Sequence, residues 1–356
     1  MKSIYSHDRT AFTKLIASQF GELKSVLRAE QIFKDIYKET QLPKTKFLGL
    51  SEDVKLWLRQ QFLYEYPLEI NHLQSSTHDG SVKFAMRLKK DGKLIESVLI
   101  PERGRLTQCI STQVGCAQGC RFCQTGRMGL LRNLETEEIV AQILVADLWR
   151  KQNPEHETAK YKNITNIVYM GMGEPLDNID NVIASSHIFC DPMGLNFSPN
   201  KVTISTVGLL PQLEKVLRTT KVAVALSLHS PYNEERSKIM PVNTRHSIYD
   251  IVAVLRKHTQ LGSRRSFMIQ YTLLRGINDS FEHANELVAL LKGVSAKINI
   301  IPLNEHEGAS FRRPDLGRVF LFQQELKKAG MVATVRLSKG RDIQAACGQL
   351  IKDKVK

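Results

Sequence analysis

From about residue 105 onward the chain alternates between two hydrophobic periods, and this alternation limits its fold more than any other feature. Short runs rich in β-branched residues read as strands: Leu106–Thr112, Ile164–Met170, Lys201–Thr206, Val222–Leu228, Phe267–Leu274, Lys297–Leu303 and Val332–Leu337. Between them lie amphipathic stretches with apolar residues three and four apart: Glu135–Trp149, Asn178–Phe189, Leu209–Leu217, Ile248–His258, Phe281–Leu291 and Asp315–Ala329. Strands joined through helices run parallel, so the pattern predicts an α/β fold of βαβ units. Six or seven such units make a partial (β/α) barrel rather than the closed eight. Ligands of such sheets sit where the carboxyl ends of strands run into loops, so chemistry-bearing residues are sought there.

The chain before residue 105 reads differently. Residues 1–75 form a small helical domain on the strength of Arg28–Thr40 and Asp53–Phe62, which place Ile32 and Ile36, then Val54, Trp57, Leu58 and Phe62, at helical spacing. Pro43 and Pro67 punctuate them. Such an appendage either packs against the core or docks RNA. Residues 76–104 read as a β-hairpin extension, Ser81–Leu88 and Leu94–Pro101 around an Asp91-Gly92 turn, leaving 105–356 as the core. Glu96 alternates within the second run, where a carboxylate is usually solvated. The formal net charge of +14 is spread along the chain without a basic tail, which suits a polyanionic partner such as nucleic acid. No apolar run approaches the ~20 residues that span a bilayer, and the start has no apolar signal core, so a cytoplasmic protein without a membrane partner is expected.

Four of the six cysteines lie between residues 109 and 123. Cys116, Cys120 and Cys123 are spaced C-x3-C-x2-C, close enough for one loop to present three thiolates to one metal centre. Cys109 precedes them in a strand-like run. One reading is a structural zinc with Cys109 as fourth ligand, but such sites pair two hooks and only one is present. The other is an iron–sulfur cluster with one iron left open, since a cluster ordinarily takes four cysteines. Polar residues then recur at strand ends. Gly171-Met-Gly-Glu-Pro-Leu176 follows the second strand, Ser205 ends the third, Ser227, Leu228 and His229 end the fourth, and Asn304 follows Ile300-Ile-Pro-Leu. Each alone is an ordinary turn or cap, whereas in register with a cysteine loop they suggest one pocket. Cys347, beside Gly348 near the same edge, is a candidate nucleophile. Cys190, on an apolar helix face, reads as core.

The cysteine loop resembles that of radical S-adenosylmethionine (SAM) enzymes. With Gln108-Cys-Ile-Ser-Thr-Gln-Val-Gly-Cys116, Met170-Gly-Met-Gly-Glu-Pro-Leu176, Ser227-Leu-His-Ser-Pro231, Met240-Pro-Val-Asn243 and Ala345-Ala-Cys-Gly-Gln-Leu350, the chain from about residue 20 to 350 resembles the RlmN/Cfr family of radical-SAM RNA adenine methyltransferases. Gln124 after the last loop cysteine and Glu305 after Asn304 depart from that family's usual residues.

The resemblance implies a [4Fe–4S] cluster on Cys116, Cys120 and Cys123, and a SAM site lined by Gly173, Glu174, Ser205, Ser227, Leu228, His229 and Asn304. It implies that Cys347 takes a methyl group from one SAM, and that a radical from a second SAM converts it to a methylene radical that adds to an adenine carbon. Cys109 then resolves the adduct as a disulfide, and the ring proton goes to Glu96 or Cys109. The favoured product is adenine methylated at C2 in large-subunit ribosomal RNA and also in tRNA. A Cfr-like C8 methyltransferase and a non-catalytic zinc-stabilised RNA-binding protein are the alternatives. A flavodoxin-type electron donor and a monomeric state complete the expectation.

Overall fold

In the computed structural model of the protein, which describes residues 1–38, 47, 49–260, 267–305 and 310–350, ten strands form one sheet whose spatial order is the order of the chain. The strands are β1 (Leu68–Ser75), β2 (Val82–Leu88), β3 (Leu94–Glu102), β4 (Arg105–Cys109), β5 (Asn166–Tyr169), β6 (Val202–Thr206), β7 (Ala223–Ser227), β8 (Phe267–Leu273), β9 (Ala296–Pro302) and β10 (Val332–Val335). Strands β1 to β4 pair antiparallel, joined by short turns such as the one through Gly92, whose φ of 68° is the left-handed value a tight hairpin needs. From β4 to β10 every pairing is parallel. Helices bridge these parallel strands: Thr136–Gln152, Ile179–Cys190, Leu210–Thr219, Ile248–Gln260, Phe281–Leu290 and Leu316–Lys328. The fold is an α/β radical-SAM-type barrel left open, because β1 and β10 are free edges of one sheet.

All seven strand-like runs from residue 105 on are strands, trimmed by a few residues, and so are both arms of the hairpin. Two differences carry physical content. Leu68–Ser75 lies within the segment read as helical, yet it pairs with β2 from Leu68↔Leu88 to Ser75↔Val82 and forms the sheet's edge. Its polar, half-exposed face hid the strand period. The run read as one strand to Thr112 breaks at Cys109, and Gln113–Cys116 pairs with Gly129–Asn133 in a separate two-stranded ribbon. Before the sheet, helices Arg9–Phe20, Ser25–Tyr37 and Glu52–Gln61 bury Phe12, Ile32, Phe33, Ile36, Val54 and Leu58 against one another. The expected helix end at Thr40 and the Pro43 break lie outside the described residues. Among the described residues no helix is long and apolar enough to cross a membrane. Cys190 is half-buried and packs against the core.

Candidate functional site

The cysteine loop is shaped by close backbone approach. Gly115 has φ 84°, and a Cβ there would lie 2.0 Å from the Gly129 carbonyl oxygen, so only glycine lets the two ribbon strands cross this tightly. The ribbon delivers Cys116, the connecting loop delivers Cys120 and Cys123, and a single helical turn follows at Gln124–Arg127. The three sulfur-bearing residues line one cavity of about 150 Å³ at the carboxyl ends of the strands. All six cysteines are free thiols.

Burial pushes the Cys116 thiol up to about 12, with the Glu174 and Cys123 charges adding to the rise. Burial also raises Cys120 and Cys123. Charge on neighbouring sulfurs raises Cys116 and Cys120 further, Arg236 offsets this at Cys120, and a soft metal cluster would supply the larger positive charge that deprotonates all three. The donor set therefore fits an iron–sulfur cluster. Among the described residues no three His, Cys, Asp or Glu side chains converge as the ligands of a single ion would. Cys109, the fourth ligand of the zinc alternative, lines a different cavity from the trio.

Strand ends complete the larger cavity. A Cβ on Gly171 would meet Ser111 Oγ at 2.6 Å, and one on Gly173, at φ 103°, would meet Gln113 Cβ at 2.6 Å, so both glycines let this turn press against the cysteine strand. Glu174 is buried, and its carboxylate accepts from the Leu176 N–H and the Val207 N–H, each at 3.0 Å, bridging the turns after β5 and β6. Burial nevertheless lifts its pKa to about 7, against the pull of those hydrogen bonds. Ser205 and Ser227 reach the same cavity from β6 and β7.

His229 adopts φ 60° and is 4% exposed. Its Nδ1 accepts from the Thr272 N–H at 2.9 Å, which leaves Nε2 as the protonated nitrogen. Burial, reinforced by Arg236, lowers its pKa to about 3, so the ring is neutral. Its edge meets Phe122, the residue before Cys123, with ring centroids 4.9 Å apart. Asn304 lines the cavity, and its Nδ2 donates to the Cys347 carbonyl at 3.1 Å and to Ser338 Oγ at 2.9 Å. Glu305, one of the two departures from the family's usual residues, accepts from the Arg313 N–H through its side chain and from Gln349 through its carbonyl, so it braces this loop. Leu228 is fully buried and is absent from the cavity lining.

Two residues that sequence reasoning passed over are central. Gln270, midway along β8, lines the cavity, and its Oε1 accepts from Ser205 Oγ at 3.4 Å and Ser227 Oγ at 3.5 Å. Arg236 is wholly buried, and its guanidinium donates to the Leu228, Val207 and Ser227 carbonyls and to Asn243 Oδ1, at 2.6–2.9 Å. It ties the ends of β6 and β7 together. The density of fixed acceptors around Arg236 is a tertiary property, and the run Asn233-Glu-Glu-Arg236 gives no local sign of it.

The other two cysteines meet elsewhere. Cys109, at the end of β4 and 6% exposed, lines a cavity of only about 20 Å³ with Ile100, Val168, Met170, Arg336 and Cys347. Cys347 is exposed and lines both cavities, as does Met170. The Cys347 segment is pinned to the cysteine loop, since the Gln124 N–H donates to the Gly348 carbonyl at 2.8 Å and Thr125 Oγ1 donates to the Leu350 carbonyl at 2.5 Å. Gln124 thus serves the fold through its backbone. Glu96 corrects the expectation of a solvated carboxylate. It is 1% exposed, its Oε1 lies 3.3 Å from Lys83 Nζ, and it lines neither cavity.

Comparison with known proteins defines the class first. The radical SAM superfamily model matches residues 110–288, about half of the chain. The protein is thus a radical-SAM enzyme, of the class that uses a [4Fe–4S] cluster and SAM. A crystal structure of a radical SAM methyltransferase from Sphaerobacter thermophilus superposes with a TM-score of 0.86 at 35% identity, covering 98% of this chain and 99% of that one. Among relatives, the dual-specificity RNA methyltransferase RlmN of Desulfosudis oleivorans is 43% identical over 327 residues, which is 92% of this chain and 85% of that protein. The RlmN of Campylobacter curvus is 41% identical, covering 94% and 92%. The chain belongs to the RlmN family of dual-specificity RNA methyltransferases.

Proposed function

We infer that the protein methylates adenine C2 in large-subunit ribosomal RNA and in tRNA, with Cys347 as the carbon carrier and Cys109 as the resolving thiol. The observation that carries this assignment of roles is the position of Cys347, which stands in the wall between the three-cysteine cavity and the Cys109 cavity. Cys116, Cys120 and Cys123 would hold the [4Fe–4S] cluster, with Gly173, Glu174, Ser205, Ser227, His229 and Asn304 around SAM. When bound, cluster and SAM together supply a reducing electron and a hydrogen-abstracting radical. Adenine C2 is electron-poor, so a radical carbon can add to it where an electrophilic methyl group cannot.

The chain's own residues do the rest. Cys347 accepts a methyl group on sulfur and presents it at the boundary of both cavities. Asn304, Gln124 and Thr125 fix the backbone around it. Cys109 waits in a small cavity with largely apolar walls that keeps bulk water from its sulfur. The helical segment that precedes β1 is assigned to RNA contact, because Leu23 and Leu27 stand 80% and 64% exposed beside Lys24 and Arg28. A flavodoxin-type donor, a monomeric state and a cytoplasmic setting complete the proposal. Mass mapping of adenosine products from reconstituted enzyme tests it on ribosomal RNA and on tRNA. C2-methyladenosine from both RNAs, and none from C347A, is expected; C8-methyladenosine, or product from C347A, would overturn it.

A further inference from the structure

We propose that Arg336 is a positioning residue for the resolving step, its guanidinium stabilising the negative charge that the Cys109 sulfur carries as it attacks Cys347. The inference rests on the roles given to the two cysteines above and adds the group that makes the second of them reactive.

Arg336 directly follows β10, and its backbone N–H donates to the Ile300 carbonyl at 2.8 Å, so its Cα is fixed by the sheet. Its side chain lines the small cavity between Cys109 and Cys347. Among the described residues it has no salt-bridge partner, although the chain pairs most of its buried cations. Ser338 and Lys339 are the other polar residues of the wall, and Ile100, Val168, Met170 and Leu350 make much of the rest. A half-buried arginine that lines one small cavity with two sulfurs, and has no carboxylate partner among the described residues, is placed to act on whichever sulfur becomes negative.

Cys109 needs such a group. Burial pushes its thiol up to about 12, Cys347 pushes it further, and Arg336 pulls it back. A thiol attacks only as thiolate, and at neutral pH a group titrating near 12 is anionic about one time in 10⁵. The other charges nearby do not serve. Lys339 also lines the cavity, but it faces an open cleft with Asp79, Glu102 and Glu157 and lowers the Asp79 pKa. On the neighbouring strand Glu96 is matched by Lys83.

In the step itself, Cys109 thiolate attacks Cys347 Sγ within the thioether that joins Cys347 to the base. The S–S bond forms and the S–C bond breaks. The electron pair leaves with carbon, which takes the proton that Cys109 gave up and becomes the methyl group. Two sulfurs are oxidised to a disulfide as the carbon is reduced by two electrons, so no outside oxidant is needed. Arg336 lowers the cost of the anionic start.

A mixed disulfide isolates this step. Exposed Cys347 of the full chain is loaded with glutathione from glutathione disulfide, and release of glutathione by Cys109 attack is followed from pH 6 to 10, with peptide mapping of the Cys109–Cys347 disulfide. The leaving group differs from the base, but the sulfur–sulfur bond formed is the same. In R336M, release is expected to slow about tenfold, with its pH profile displaced upward by about one unit. R336K, which restores a cation, stays within about threefold of wild type, and filter binding of ribosomal RNA by R336M is unchanged. Release at the wild-type rate in R336M, or a loss of RNA binding with release unaffected, would overturn the proposal, the second outcome making Arg336 a phosphate anchor. So would R336K as slow as R336M with a lowered melting temperature, which marks a structural role. If wild type releases glutathione as expected but methylates no RNA, the function proposed above fails while Arg336 keeps its part.

Discussion

The two cavities that share Cys347 differ in size and in the groups they offer. The larger, about 150 Å³, is lined by hydroxyls, amides and His229 at strand ends, and four cysteines, the loop trio and Cys347, stand in its wall. The smaller, about 20 Å³, has room for about one water; Ile100, Val168, Met170 and Leu350 line it with two thiols, Arg336, Ser338 and Lys339. Polar strand ends suit a ligand that must be bound and oriented. A tight, largely apolar space suits a thiol that must stay reduced until its partner arrives, because exclusion of water and oxidants raises its pKa and slows its loss. On the proposed roles, one protein keeps sulfur as a metal ligand and sulfur as a nucleophile a single wall apart. The difference between them comes from the neighbours of each sulfur, strand-end hydroxyls and amides on one side and Arg336 on the other, and not from the cysteines themselves.

The sharpest way to break this comparison is to disturb one cavity and ask whether the other notices. In G173A a Cβ would sit 2.6 Å from Gln113 Cβ at φ 103°, so the turn must shift. About 2 kcal/mol of strain is expected. SAM affinity of the cluster-loaded protein, read by equilibrium dialysis, should fall by about tenfold or more, while Cys109–Cys347 disulfide formation keeps its wild-type rate. Parallel losses in both readouts would show that the wall does not separate two functions.

A smaller effect comes from His229, whose ring carries no charge in the folded protein. Its folded pKa of about 3 lies below the ordinary value of 6.5, so between these values the unfolded chain binds the extra proton. Its contribution to stability is therefore complete above pH 6.5 and is lost as pH falls through that window. From pH 7.5 to 5.5 the loss is about 1.4 kcal/mol. In H229N the side chain no longer titrates, and asparagine tolerates the left-handed φ of 60°. Denaturant unfolding at the two pH values should show a drop in wild type that is smaller by that amount in H229N. An equal drop in both would mean the ring is solvated, and the larger cavity more open than described.

How much of this was legible beforehand follows a physical line. Strands β4 to β10 were readable because both faces of a parallel sheet are buried, leaving dense apolar runs between amphipathic helices. The three-cysteine loop was readable because its ligands are local in sequence, and so was Cys347 once a resemblance supplied its role. Residues whose importance is set by what surrounds them were not readable. Arg236 lies in a charged run that looks solvated, yet it is wholly buried across two strand ends. Gln270 is one polar residue in an apolar strand. Glu96 looked like an outer-face carboxylate and is sealed against Lys83. The strand Leu68–Ser75 was hidden because an edge strand needs only one apolar face, and its partner is not yet visible when the sequence is read in order.

The central claim is that Cys347 alone among the six cysteines carries the carbon. Reconstituted protein incubated with SAM but no RNA, then digested and mapped by mass spectrometry, tests this directly. The account expects the mass of one methyl group on the peptide bearing Cys347 and on no other cysteine peptide; a methyl on Cys109 or on Cys116, Cys120 or Cys123, or none at all, would contradict it.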